Sequence, residues 1–137
     1  MKNSFLTLMI FLIGSLILQA QNTIEVEIIN FESNKGVAQV GLFNTETSFL
    51  DKAYKGKAVK IKDQKAIAIF TDIPDGTYAI SVFHDKNEDE KLNTFLGIPT
   101  ENYAASNNAP SKFGPPKWKD AKFEVNNGKI LKLKISL

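Results

Sequence analysis

The chain has 137 residues, enough for one domain and little more, and its formal charge of +2 gives no long-range attraction for nucleic acid or anionic membrane. All 17 basic residues are lysines, so the planar fork with which arginine reads carboxylate, phosphate or guanine is missing. There is no cysteine, hence no disulfide and no lipid-attachment thiol, and an exported domain must be held by its core, with or without an ion.

Met1 to Ala20 reads as a signal peptide. Lys2 supplies the positive start, Phe5 to Leu18 is almost wholly apolar, and Ala20 is the small residue expected before the cut. Cleavage between Ala20 and Gln21 leaves one β-sandwich domain over residues 21–137, sent to the periplasm or the exterior. An uncleaved anchor is the alternative, but an apolar run of about 14 residues is short of the ~20 that a spanning helix needs. No later segment is apolar enough to span.

From Thr23 the pattern is that of strands. Ile24, Val26 and Ile28 alternate with Glu25 and Glu27, and Ile29 followed by Phe31 breaks the alternation as a bulge would. Ser33 to Gly36 is a turn into a second strand, Val37 to Phe43, so the pair reads as a hairpin. Thr45 to Tyr54 has no clean period beyond the start of a helical turn. Gly56 to Lys62 is a short, lysine-rich edge strand. Lys65 to Phe70, apolar on both faces, fits a central strand. Pro74-Asp75-Gly76 is a turn, because Pro fixes its first corner and Gly accepts positive φ. Thr77 to Phe83 then delivers His84 and Asp85 to the end of a sheet. After a long connection, Ala121 to Val125 is a strand, Asn126-Asn127-Gly128 a hairpin turn, and Lys129 to Leu137 the last strand. The expectation is an all-β, seven-stranded antiparallel Greek-key sandwich with a long loop after the fifth strand.

Two passages carry a family resemblance. Phe70-Thr71-Asp72-Ile73-Pro74-Asp75-Gly76-Thr77-Tyr78 resembles the strand-turn-strand of transthyretin-like and carboxypeptidase-regulatory-like sandwiches. Val82 to Asn87, Gly97-Ile98-Pro99, Glu101, Tyr103, Ser106-Asn107, Phe113-Gly114-Pro115-Pro116 and Asp120-Ala121 resemble the bacterial secreted family of domain of unknown function 2141. The resemblance covers nearly all of residues 21–137 and implies an exported, transthyretin-like sandwich and no activity. Family members usually have Asn-Gly where this chain has Asp89-Glu90.

The long loop holds the residues that could carry chemistry, since loops of this length in a compact domain are usually functional or disordered. Oxygen-bearing side chains recur every second residue from Asp85. Calcium-wrapping loops take ligands at positions one, three, five, seven (through a backbone carbonyl) and nine. Those fall on Asp85, Asn87, Asp89, Lys91 and Asn93, with Glu101 as a further carboxylate from along the loop. Position six is Glu90 rather than Gly, and position twelve is Leu96 rather than Glu. A solvated acidic turn is the alternative to a Ca2+ site.

His84, the one histidine, excludes a His-rich zinc site; at a strand end it is a hydrogen-bonded structural group, a ligand contact or a catalytic base. Tyr103, Phe113 and Trp118 with Asn107 form a candidate aromatic and amide surface for a glycan or peptide, or else pin the loop to the sandwich. Lys112, Lys117, Lys119 and Lys122 read as a solvated face or as partners for anions. The functional expectation is an exported, monomeric, non-enzymatic binding or structural module, with a small hydrolase using His84 and nearby carboxylates as the alternative.

Overall fold

The alternating burial expected from Ile24, Val26 and Ile28 organises the smaller of two facing sheets. The computed structural model describes residues 21–137, and the signal-peptide reading of Met1–Ala20 lies outside the described residues. Strand β1 (Asn22–Ile29) lies between β10 (Ile130–Ser136) and β4 (Ala66–Ile73). The larger sheet runs β3 (Lys55–Lys60), β2 (Val37–Phe43), β5 (Gly76–Asp85) and β8 (Tyr103–Ala105), with β9 (Phe123–Val125) paired to the start of β5. The inward residues of both sheets, among them Ile28, Val40, Phe70, Ile80 and Ile135, form one shared core. Each such side chain, fully buried, is worth roughly 1.5–3 kcal/mol.

The chain is all-β, and each of the seven expected strands has a counterpart. The long connection adds three short ones: β6 (Thr94–Phe95), β7 (Ile98–Pro99) and β8. A 3-10 turn, Ser106–Asn108, and one short helix, α1 (Trp118–Ala121), complete it.

Several local expectations are corrected. The sandwich is not wholly antiparallel: β1 pairs with β4 antiparallel but with β10 parallel. β1 and β2 are not a hairpin, because the chain crosses between the sheets from Asn30 (φ 66°) to Gly36 (φ 75°), with Phe31 buried in the core on the way. The break after Ile29 is therefore the end of a strand rather than a bulge. At Gly36 a Cβ would lie 2.1 Å from the Asp85 carbonyl oxygen, so both the positive φ and the close approach require glycine. β9 and β10 are not a hairpin either. The Asn127-Gly128 turn carries the chain from the larger sheet to the smaller, where the buried Asn22 accepts the Lys129 N–H (3.1 Å) and donates to the Ile73 carbonyl (2.9 Å). β4 lies at an edge of its sheet, and its outward Ile67 and Ile69 are exposed.

Candidate functional site

Strand β5 ends by sending His84 and Asp85 to opposite faces of the sheet, as its period of two requires. His84 turns inward and is fully buried, edge-on to Phe31 with ring centroids 5.2 Å apart. Its Nε2 lies 2.7 Å from the Lys35 carbonyl oxygen, which assigns the ring proton to Nε2 and leaves the buried Nδ1 without a partner. Asp85 is equally buried. Its Oδ1 accepts the Asp89 N–H (3.2 Å), and its Oδ2 accepts the Glu90 N–H (2.9 Å) and the Gln39 side-chain amide (3.0 Å). Positive φ at Glu88 and Glu90 curls the backbone round this carboxylate.

Glu101, 6% exposed, repeats the device, with one oxygen accepting the Lys86 N–H and the other the Asn93 N–H, each at 3.1 Å. The excursion from Lys86 to Glu101 is thus closed on two buried carboxylates by its own amides. A third carboxylate, the exposed Glu32, pairs with the Lys86 ammonium and accepts the Asn102 amide at 3.1 Å. The hydrogen bond and charge of Lys86 hold the Glu32 carboxyl below its ordinary value.

The six positions expected around a cation fall into separate hydrogen-bonded groups. Asp85, Asn87 and Asp89 share one turn, in which the Asn87 amide donates to Asp89 (3.0 Å). Lys91 enters it through its N–H, given to Asp89 Oδ1 at 3.0 Å. Asn93 and Glu101 belong to the neighbouring closure, where the Asn93 carbonyl also accepts the Thr100 N–H (2.8 Å). Among the described residues, no group of three or more His, Cys, Asp or Glu is arranged to hold a metal ion.

Beside this turn a groove of about 1160 Å³ lies over the outer face of the larger sheet. Its floor follows the strand register: Gly56 on β3 is opposite Gly41 on β2, and Gly41 is opposite Ser81 on β5. The next row carries Gln39, Phe83 and Tyr103. One wall is Leu50, Asp51 and Ala53; the other comes from Glu90 to Leu92, Gly97 to Pro99, Lys112, and Gly114 to Pro116. A Cβ on Gly41 would meet the Phe43 ring at 3.0 and 3.2 Å.

Of the residues expected to contact a ligand, Tyr103 alone lines the groove, its hydroxyl 3.4 Å from the Ser111 carbonyl oxygen. His84 is in the core. Trp118 packs on Phe49 (centroids 5.7 Å apart) over a second small cluster of Ala79, Ala105, Ala109 and Ala121. Asn107 is a staple, donating to the carbonyls of Asp120 (3.1 Å) and Lys122 (2.9 Å). Phe113 is 98% exposed, with only Lys112 over its ring. The aromatic surface therefore divides among groove floor, packed interior and solvent. The groove's floor went unseen, although alternation places Gln39, Gly41 and Phe43 opposite Ala38, Val40 and Leu42, and a glycine inside a strand marks a close approach.

A family model described as "Uncharacterized protein conserved in bacteria (DUF2141)" matches residues 26–131. No curated protein matches. Among solved structures, a leucine-rich repeat protein from Bacteroides thetaiotaomicron VPI-5482 aligns at 16% identity with a TM-score of 0.41. The alignment covers 88% of this chain and 14% of that one.

Proposed function

This chain belongs to the family described as uncharacterized proteins conserved in bacteria (DUF2141), and from its geometry we propose that it is an exported, non-enzymatic binding module. The groove over the larger sheet takes the ligand, a glycan or an extended peptide segment. The groove itself carries this reading: a concave surface that combines apolar walls, the rings of Phe43, Phe83 and Tyr103 on its floor, and the charged Asp51, Lys57, Glu90, Lys91 and Lys112 offers both the apolar and the polar contacts of a binding site. Its floor of Gly56, Gly41 and Ser81 brings a flat ring or an extended chain against the backbone.

The non-enzymatic part draws support from His84. The hydrolase alternative takes that imidazole as its base, yet it is buried with Nε2 on the Lys35 carbonyl, across the sheet from the Asp85 carboxylate. Export rests on the sequence of residues 1–20. In this reading the domain acts as a monomer, and its seven principal strands follow the transthyretin-like Greek-key plan.

Ca2+ at the acidic turn is a second reading. The shared turn of Asp85, Asn87 and Asp89 favours it; the N–H bonds already held by Asp85 and Glu101 weigh against it. A cation bound there raises the melting temperature in millimolar calcium and lowers it in chelator, whereas superimposable curves remove it from the account.

The main reading is tested on immobilised oligosaccharide and peptide panels with the wild type and Gly41→Leu, which fills the floor. Retention of the wild type with a loss of about tenfold or more in the variant supports the groove. Equal retention of both proteins, or no retention of the wild type, overturns it. A melting curve for Gly41→Leu separates a filled groove from a lost fold.

A further inference from the structure

Residues 51–65 carry six lysines against two aspartates in a chain whose whole formal charge is +2. Two of the six are occupied at the sandwich edge. Lys55 donates to the Thr71 carbonyl at 3.1 Å and stands over the Tyr54 ring, and Lys57 stands over the Phe70 ring.

Lys60, Lys62 and Lys65 are differently placed. Ile61 is buried, so alternation turns Lys60 and Lys62 outward together. Lys62 and Lys65 flank the turn Asp63-Gln64, both of whose residues have positive φ, and exchange backbone hydrogen bonds of 2.9 and 3.0 Å. Their side chains therefore stand directly opposite each other, an arrangement that like charges disfavour. Lys35 is on the adjoining turn, where Asn34 Oδ1 accepts the Gln64 N–H at 2.8 Å. All four lysines are exposed, and none is in an ion pair among the described residues. None of them lines the groove.

We propose that Lys35, Lys60, Lys62 and Lys65 form a docking surface for an acidic polysaccharide. An unpaired cluster containing a repulsive pair gains most from a partner that supplies negative charge along its length. The surroundings select the kind of polyanion. Asn34 and Gln64 offer amides suited to sugar hydroxyls. There is no arginine fork, and no aromatic ring on either turn for bases to stack on, which disfavours nucleic acid. The turn Lys62 to Lys65 also has no apolar side chain to enter a bilayer.

The test is retention on immobilised heparin and polygalacturonate, with neutral dextran as reference and salt varied. Lys60→Gln/Lys62→Gln/Lys65→Gln is compared with Lys117→Gln/Lys119→Gln/Lys122→Gln, which removes the same charge elsewhere and outside the groove. The surface predicts binding that weakens with salt, a loss of about tenfold or more in the first triple and a change within about twofold in the second. The first triple should melt at or above the wild-type temperature, since it relieves repulsion; Lys35→Gln/Lys62→Gln provides a smaller second variant. Equal losses in both triples, retention on dextran matching that on the acidic polymers, or no retention on either of them overturns the proposal. So does tighter binding to phosphatidylglycerol vesicles or to single-stranded DNA.

Discussion

Three carboxylates hold the base of the long excursion, Asp85 and Glu101 by burial among amides and Glu32 by charge at the surface. Asp85 is fully buried and accepts three N–H bonds, and hydrogen bonds to a charged group are worth about 1.5–3 kcal/mol each. Asp85→Ala leaves the Asp89 and Glu90 amides and the Gln39 side chain without their acceptor. Its expected cost is about 3 kcal/mol in urea denaturation. Glu32 is exposed, and its effect is legible in pH rather than in magnitude. Lys86, and after it Asn102, lowers its folded value from the ordinary 4.5, so the stabilisation is present above that value and fades as pH falls through the lowered one. Wild type and Glu32→Gln, melted from pH 3 to pH 7, should differ by a constant amount near neutrality and converge at the acid end. Parallel curves throughout would show that the pair with Lys86 contributes nothing. Tyr78 works in the other direction: burial pushes its phenol upward while its hydroxyl donates to the Pro74 carbonyl at 2.8 Å, so what it adds is fully present below 10.0 and lost in alkali.

Strand β5 is the element on which the molecule turns, and its outer edge is paired in two pieces. β9 covers Gly76 to Tyr78 and β8 covers Ser81 to Phe83, leaving a gap at Ile80. Ser106 fills it: its hydroxyl accepts the Ile80 N–H at 2.9 Å and donates to the Ala121 carbonyl at 2.6 Å, tying α1 to the sheet. Ser106→Ala strands a buried N–H and a buried carbonyl, at an expected cost of about 2 kcal/mol, with the Ile80 amide losing protection in hydrogen exchange. The seven principal strands were legible because Ile24, Val26 and Ile28, like Leu131, Leu133 and Ile135, announce a period of two. Their partners were not, because a short turn such as Asn127-Gly128 serves equally for a hairpin and for a crossing between sheets. What decides is Asn22, more than 100 residues away, whose buried amide holds the crossing in place. The acidic turn was legible as a turn. That its carboxylates face amides depends on the curl at Glu88 and Glu90, positions whose positive φ no side chain advertises.

At the scale of the molecule, the two sheets supply a scaffold and the excursion from Lys86 to Lys117 supplies most of one wall above it. Apolar residues are used in opposite ways in the two parts. Ile80 and Leu42 are fully buried, whereas Phe95, Leu96 and Ile98, on the β6–β7 hairpin, are 70%, 87% and 70% exposed. A side chain left in water adds little to folding, and exposed apolar groups gathered on one projection mark a contact surface rather than a core. Phe95→Ser/Leu96→Ser/Ile98→Ser should therefore leave unfolding free energy within about 0.5 kcal/mol of wild type, while Ile80→Ala should cost about 2–5 kcal/mol. The same triple should reduce the binding of an apolar dye and abolish ligand retention in the groove, because Ile98 forms part of its wall. A fall of several degrees in melting temperature would assign the hairpin to the fold. Unchanged ligand retention would move the binding surface away from this wall, and the stable sandwich beneath would then need another face to carry recognition.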